Sequence, residues 1–97
     1  MKKTLIEITT SDGKVWPCRV TLGAMRRYKA MTGEDVVKMR EAADMAAFLY
    51  CCVRSACAAD RKEFDYSVDD FCDMVDADAL KRIEELFEGE KKTSAKV

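Results

Sequence analysis

The stretch "DMAAFLYCCVRSACAAD", Asp44 to Asp60, decides the fold. Of the fifteen residues between the two aspartates, only Arg54 and Ser55 are polar. Such a run is a membrane span, a nest of reactive thiols, or a helix that the rest of the chain or another protein must cover. A spanning helix needs about 20 mostly apolar residues, and Arg54 interrupts this run after nine. A buried helix of a water-soluble domain fits better. Upstream, Lys2 and Lys3 lead only into "TLIEI", short of a signal-peptide core of about 7–15 apolar residues. A cytosolic location is therefore expected.

That location governs the five cysteines, Cys18, Cys51, Cys52, Cys57 and Cys72. An odd number in a reducing compartment argues against a disulfide framework. A zinc knuckle wants a C-x2-C pair, and a thiol nucleophile or redox couple wants C-x-x-C or a histidine base. The sequence has no such pair and no histidine. Cys51 and Cys52 are adjacent and point about 100° apart on a helix. The expectation is cysteine as a small buried apolar residue.

With 97 residues, the chain suits one domain with a modest core. The formal net charge of −1 supplies no field for nucleic acid or anionic lipid, but it is unevenly spread. Met1 to Arg40 carry nine Lys/Arg against four Asp/Glu, whereas Glu41 to Val97 carry eight against fourteen. A molecule so polarised favours oriented association.

Outward from the central stretch, "KTLIEITT" and "KVWPCRV" are short, apolar and β-branched, and "SDG" between them supplies turn chemistry. This predicts an N-terminal β-hairpin packed on helices, with Pro17 at an edge or bulge because it lacks a ladder donor. Thr21 is a candidate N-cap and Gly33 a left-handed C-terminal cap for a helix over "LGAMRRYKAMT". Leu22, Ala24, Met25, Tyr28 and Met31 are expected on its inner side, and Arg26, Arg27 and Lys29 on its outer side. "EDVVKMR" reads as a connector or single helical turn sending Val36, Val37 and Met39 towards the core.

The central helix is expected from near Asp44, whose carboxylate suits a helix N-terminus, to at least Ala59. After the linker "DRKEFDY", Ser67 and Asp70 have capping-box spacing, with Asp in place of the preferred Glu. Val68, Phe71, Cys72, Met74 and Val75 form one face of the next helix, and Asp69, Asp70 and Asp73 the other. Asp76 is a candidate cap for a last helix burying Leu80, Ile83, Leu86 and Phe87 and ending at Gly89. Residues 89–97 are polar and unpatterned, a disordered tail. The expected fold is thus mainly α with a short hairpin, a single-domain bundle of about four helices over residues 1–88.

"DDFCDMVDAD" invites a cation, but an EF-hand loop needs ligands at alternate positions and a glycine at the sixth, and that pattern is missing. Its aspartates read as caps and a solvated face, so no metal or cofactor is expected. The basic side of the first helix offers a contact for an acidic protein partner, including a second copy of this chain. A small helical DNA-binding regulator using that helix is the alternative function. The acidic remainder opposes phosphate contact, so nucleic acid ranks below protein as a partner.

The order hairpin, "TLGAMRRYKAMTGEDV", apolar "DMAAFLYCCVRSA" and "DYSVDDFCDMVDADALKRIEELF" resembles the tail assembly chaperones of long-tailed bacteriophages and prophages, over about residues 15 to 88. The resemblance lies in hydrophobic positions and caps. The cysteine-rich centre and the small residues Ala42, Ala43, Ala46 and Ala47 depart from it. It implies a non-catalytic protein of the bacterial host cytoplasm, which keeps the tape measure protein soluble and helps tail-tube subunits polymerise around it. Adaptable methionines suit such contact; Met25, Met31, Met39 and Met45, with Tyr28 and Phe48, either serve it or fill the core. Met25, Arg26, Tyr28 and Lys29 are the expected partner-binding residues.

Overall fold

The computed structural model describes residues 5–76, 78–82 and 84–85. It is a small compact globule, mainly helical, with an N-terminal antiparallel hairpin. Strands β1 (Leu5–Thr9) and β2 (Val15–Arg19) precede helix α1 (Leu22–Thr32), a 3-10 turn over Val36–Lys38, helix α2 (Ala42–Ala59) and helix α3 (Val68–Asp73). Helical backbone resumes at residues 78–82 and 84–85. Ile83, Leu86, Phe87, Gly89 and the tail 89–97 lie outside the described residues, and so do the expectations placed on them.

The strands pair from Thr9↔Val15 to Leu5↔Arg19. Alternation then sorts the side chains: Ile8, Thr10, Trp16 and Cys18 face inward and are buried, while Glu7, Thr9 and Val15 face out. The Thr10 amide donates to the Lys14 carbonyl at 3.0 Å, so bonded pairs fall on even-numbered residues and Pro17 takes a position whose nitrogen points away from β1. Other elements reach both hairpin edges. Lys62 Nζ donates to the Val15 carbonyl at 3.0 Å and lies 4.9 Å from the centre of the Trp16 ring. Arg19 pairs with Asp60 at 2.8 Å. On the β1 side, Arg82 donates to the Glu7 carbonyl at 2.7 Å, and the Ser11 amide to the Met74 carbonyl at 2.8 Å. Exposed strand edges invite pairing with other chains, and these contacts occupy part of each edge.

Helix α1 begins and ends as its caps dictate. Thr21 Oγ1 accepts from the Ala24 amide at 2.9 Å and also meets Ser55 Oγ of α2 at 2.7 Å. Gly33 sits at φ 79°, its amide donating to the Lys29 carbonyl. Only Ala24 and Tyr28 of α1 are buried, with Met25 partly covered. Two expectations about its inner side are therefore corrected: Leu22 is 78% exposed and Met31 is 40% exposed. Val37 likewise points to solvent, because the 3-10 turn sets the half-buried Val36 and Met39 against the core and turns Val37 outward.

Helix α2 starts at Ala42, two residues before Asp44. Asp44 accepts from the amides of Arg40 and Glu41 and so closes the first turn from within. Phe48 to Val53, Ala56 and Cys57 are buried. By length and mean hydropathy this 18-residue helix could cross a membrane, but the hairpin, α1 and α3 pack on its apolar surface. It ends in a Schellman arrangement: the Lys62 amide donates to the Cys57 carbonyl, the Arg61 amide to that of Ala58, and Arg61 takes φ 57° where glycine is usual.

The linker after α2 is an aromatic strap. Phe64 lies 5.0 Å from Trp16, 5.4 Å from Tyr66 and Phe71, and 5.6 Å from Tyr50, centre to centre. Tyr50 donates to the Tyr66 carbonyl at 2.7 Å, and Tyr66 to the Asp12 carboxylate in the hairpin turn. These edge-on and tilted contacts join hairpin, α2 and α3. Ser67 caps α3 by accepting from the Asp70 amide at 3.1 Å, Phe71 is buried, and Asp69, Asp70 and Asp73 face solvent.

Phe48 is fully buried and meets Tyr28 edge-on at 5.8 Å. Phe48→Ala is expected to cost about 3–5 kcal/mol in urea denaturation; a loss below about 1 kcal/mol would place the ring outside the core.

Candidate partner-binding surface

At about 100° per residue, Leu22, Arg26 and Lys29 fall within about 60° of one another on α1. All three are exposed, and the apolar Leu22 is 78% so. Lys29 approaches Asp35 at 3.8 Å, with both side chains more than half exposed. Arg27 turns back to the Gly23 carbonyl at 3.4 Å, which leaves Arg26 and Lys29 as the cations beside Leu22. Val37, 81% exposed, follows α1 in the chain.

Of the four expected partner-binding residues, the structure therefore puts Arg26 and Lys29 on the surface and Met25 half-buried beneath them. It removes Tyr28, which is 2% exposed and packed edge-on against Phe48. Burial also pushes the Tyr28 hydroxyl pKa up, with Asp44 adding to the effect. Leu22 is the member sequence reasoning missed. The signal was present: Leu22 is 200° from Ala24 on the helical wheel and in line with Arg26 and Lys29.

A complementary surface lies on the acidic half. Asp69, Asp70 and Asp73 project from α3, and among the described residues none forms an ion pair. Beside them is a notch of about 100 Å³ lined by Ala46, Leu49, Phe71, Cys72, Val75, Asp76, Ala79 and Leu80. A larger cleft of about 480 Å³ opens between the end of β1 and residues 73–82. Thr9, Thr10 and Ser11 line one wall, and Asp73, Asp76, Asp78 and Arg82 the other.

The thiols are arranged for packing. Cys18, Cys51, Cys52 and Cys57 are buried, Cys72 is half-buried, and all five are free. Burial raises Cys51 from 9.0 to about 11. It also raises Cys52, where the neighbouring Cys18 thiol adds to the effect, and Cys57. Cys72 is raised by burial and then by the nearby carboxylates of Asp69 and Asp73. A nucleophilic thiol requires the opposite shift. Among the described residues, no three Cys, Asp or Glu side chains converge as a metal site requires.

The fold and this surface together define a small helical domain with an N-terminal hairpin and two oppositely charged faces. No protein family, curated protein or solved structure matches the chain.

A thiol reagent is expected to modify Cys51, Cys52 and Cys57 only on the timescale of unfolding, and one fast-reacting thiol among them would contradict this packing. The raised Cys51 pKa also carries a sign. Above pH 9 the unfolded chain releases a thiol proton that the folded chain holds until about 11. Its contribution is thus complete below pH 9 and lost as pH rises through that window. Urea melts should show Cys51→Ala losing less stability than wild type between pH 9 and 11.

Proposed function

We propose that this chain is a non-catalytic assembly chaperone of the phage-tail kind, acting in the cytoplasm of a bacterial host. The tape measure protein is its client, and the tail-tube protein is the subunit it helps to assemble. The observation that carries this reading is Leu22, an exposed leucine set between Arg26 and Lys29 on a helix whose other side is locked into a closed core. An isolated exposed leucine is common; one aligned with two cations makes a stripe suited to an amphipathic client helix with acidic flanks. The apolar contact would supply affinity, and the charges orientation and encounter rate. The raised thiol pKa values favour a binding role over thiol chemistry.

Arg26→Glu combined with Lys29→Glu should leave thermal stability within about 0.5 kcal/mol of wild type, because exposed charges contribute little to folding. The same pair should weaken client binding by about tenfold or more, a loss of about 1.4 kcal/mol. The defect should shrink as salt screens the wild-type attraction. Co-expression with a tape measure protein reads this out as the soluble fraction of the client. Equal solubilisation by the double variant removes the α1 stripe from the account. Failure of wild type to solubilise that client, together with tight salt-dependent binding of duplex DNA, would favour the regulator instead.

A further inference from the structure

The client-binding stripe of α1 has a counterpart on its own molecule. The α1 stripe presents one apolar side chain, Leu22, followed by Arg26 and Lys29. The α3 side presents one apolar recess flanked by carboxylates: the notch bounded by Phe71, Cys72 and Val75 has Asp76 on its wall, with Asp69 and Asp73 beside Cys72. Its volume of about 100 Å³ suits a branched aliphatic side chain, since a cavity of about 150 Å³ takes a benzene-sized molecule. The charge spacings differ by about 1.5 Å, which the long Arg26 and Lys29 side chains span. Arg26 and Lys29 are separated by about 4.5 Å along the helix axis, and Asp69 and Asp73 by about 6 Å. Among the described residues, no ion pair joins the two faces within one chain.

We infer that the partner of the α1 stripe in the absence of client is the notch on a second copy of this chain, Leu22 of one copy seating between α2 and α3 of the next with Arg26 and Lys29 against Asp69 and Asp73. The inference rests on the α1 stripe being the client-binding surface, and adds what covers it at rest. Knob and recess lie on different faces, so the contact is head-to-tail and each copy retains one free knob and one free recess. Association then continues past the dimer, into a chain or, where the rotation between copies closes, a ring. One helix stripe on one notch is a small interface, in the range of weak transient contacts, so a client segment offering a larger apolar face displaces it. In this way an exposed leucine is sheltered until the client arrives.

Sedimentation velocity of the purified chain at low salt, up to about 1 mM so that a dissociation constant of that order is detected, tests this without any client. Wild type should grow beyond dimer with concentration and revert to monomer in high salt. Two knob variants, Leu22→Ser and Arg26→Glu with Lys29→Glu, should each remain monomeric. Two recess variants should do the same: Asp69→Lys with Asp73→Lys, and Ala46→Leu, which fills the notch without changing charge. An equimolar mixture of Leu22→Ser with Ala46→Leu should stop at a heterodimer, because one intact knob and one intact recess remain and the altered pair gains no charge complementarity. Monomeric wild type across the whole range, self-association of either class of variant, or a mixture that stays monomeric each overturns the inference. Solubilisation of client by a protein that never self-associates would leave the proposed function standing and remove only this contact, whereas self-association without client solubilisation would do the reverse.

Discussion

The middle of α2 is the constraint on which everything else depends. From Phe48 to Val53 every residue is buried, and Ala56 and Cys57 follow. Six consecutive buried positions span more than one full turn, so no single neighbour could cover them. The hairpin, α1, the aromatic strap and α3 are each answers to a different side of this helix. The two polar residues that follow Val53 sit differently. Arg54 is exposed, reaching the Tyr50 hydroxyl at 3.4 Å, and Ser55 meets the Thr21 cap at the start of α1. The cysteines belong to the same solution. Cys18 of β2 and Cys52 of α2 meet as small apolar groups between those two elements, and burial keeps Cys51 and Cys52 protonated.

With Phe48 to Val53 covered by the chain's own elements, other surfaces are left for partners. The functional reading therefore shifts from the most apolar segment to a modest one, the outer stripe of α1. There Leu22 contributes nothing to the core, and Tyr28, two turns on, contributes heavily. The charge polarity of the chain takes concrete form in the same way. Basic residues concentrate on the outer side of α1, and acidic ones on α3 and around the cleft between β1 and residues 73–82. Each face is folded and available for contact rather than spent on pairing with the other.

Much of the architecture was legible because it rests on local chemistry. Thr21, Gly33 and Ser67 act as the caps their residue types suggest, and the period-two alternation of the hairpin places Ile8, Trp16 and Cys18 inward. The departures have physical causes. The start of α2 fell two residues earlier because Asp44 acts from inside the first turn rather than before it. Val37 turned outward because a 3-10 turn repeats every three residues, so two of its flanking apolar side chains cannot share a side with it. The role of Phe64 and Tyr66 was hidden in a charged linker, since a strap that binds through ring contacts with Trp16, Tyr50 and Phe71 has no periodicity to read. Of the candidate site, Arg26 and Lys29 were legible as charges. Leu22 was not, because a leucine in an amphipathic helix is expected inside, whereas its place on the wheel sets it far from the buried Ala24 and in line with the two cations.

Native-state hydrogen exchange tests the central claim that the middle of α2, Phe48 to Val53, is sealed by its own chain. The amides of Phe48 to Val53 should exchange only through global unfolding, with opening free energies equal to the unfolding free energy measured in denaturant. Opening of these amides at several kcal/mol below that value would mean that α2 is transiently uncovered, and that the apolar surface offered to a partner is the core helix itself.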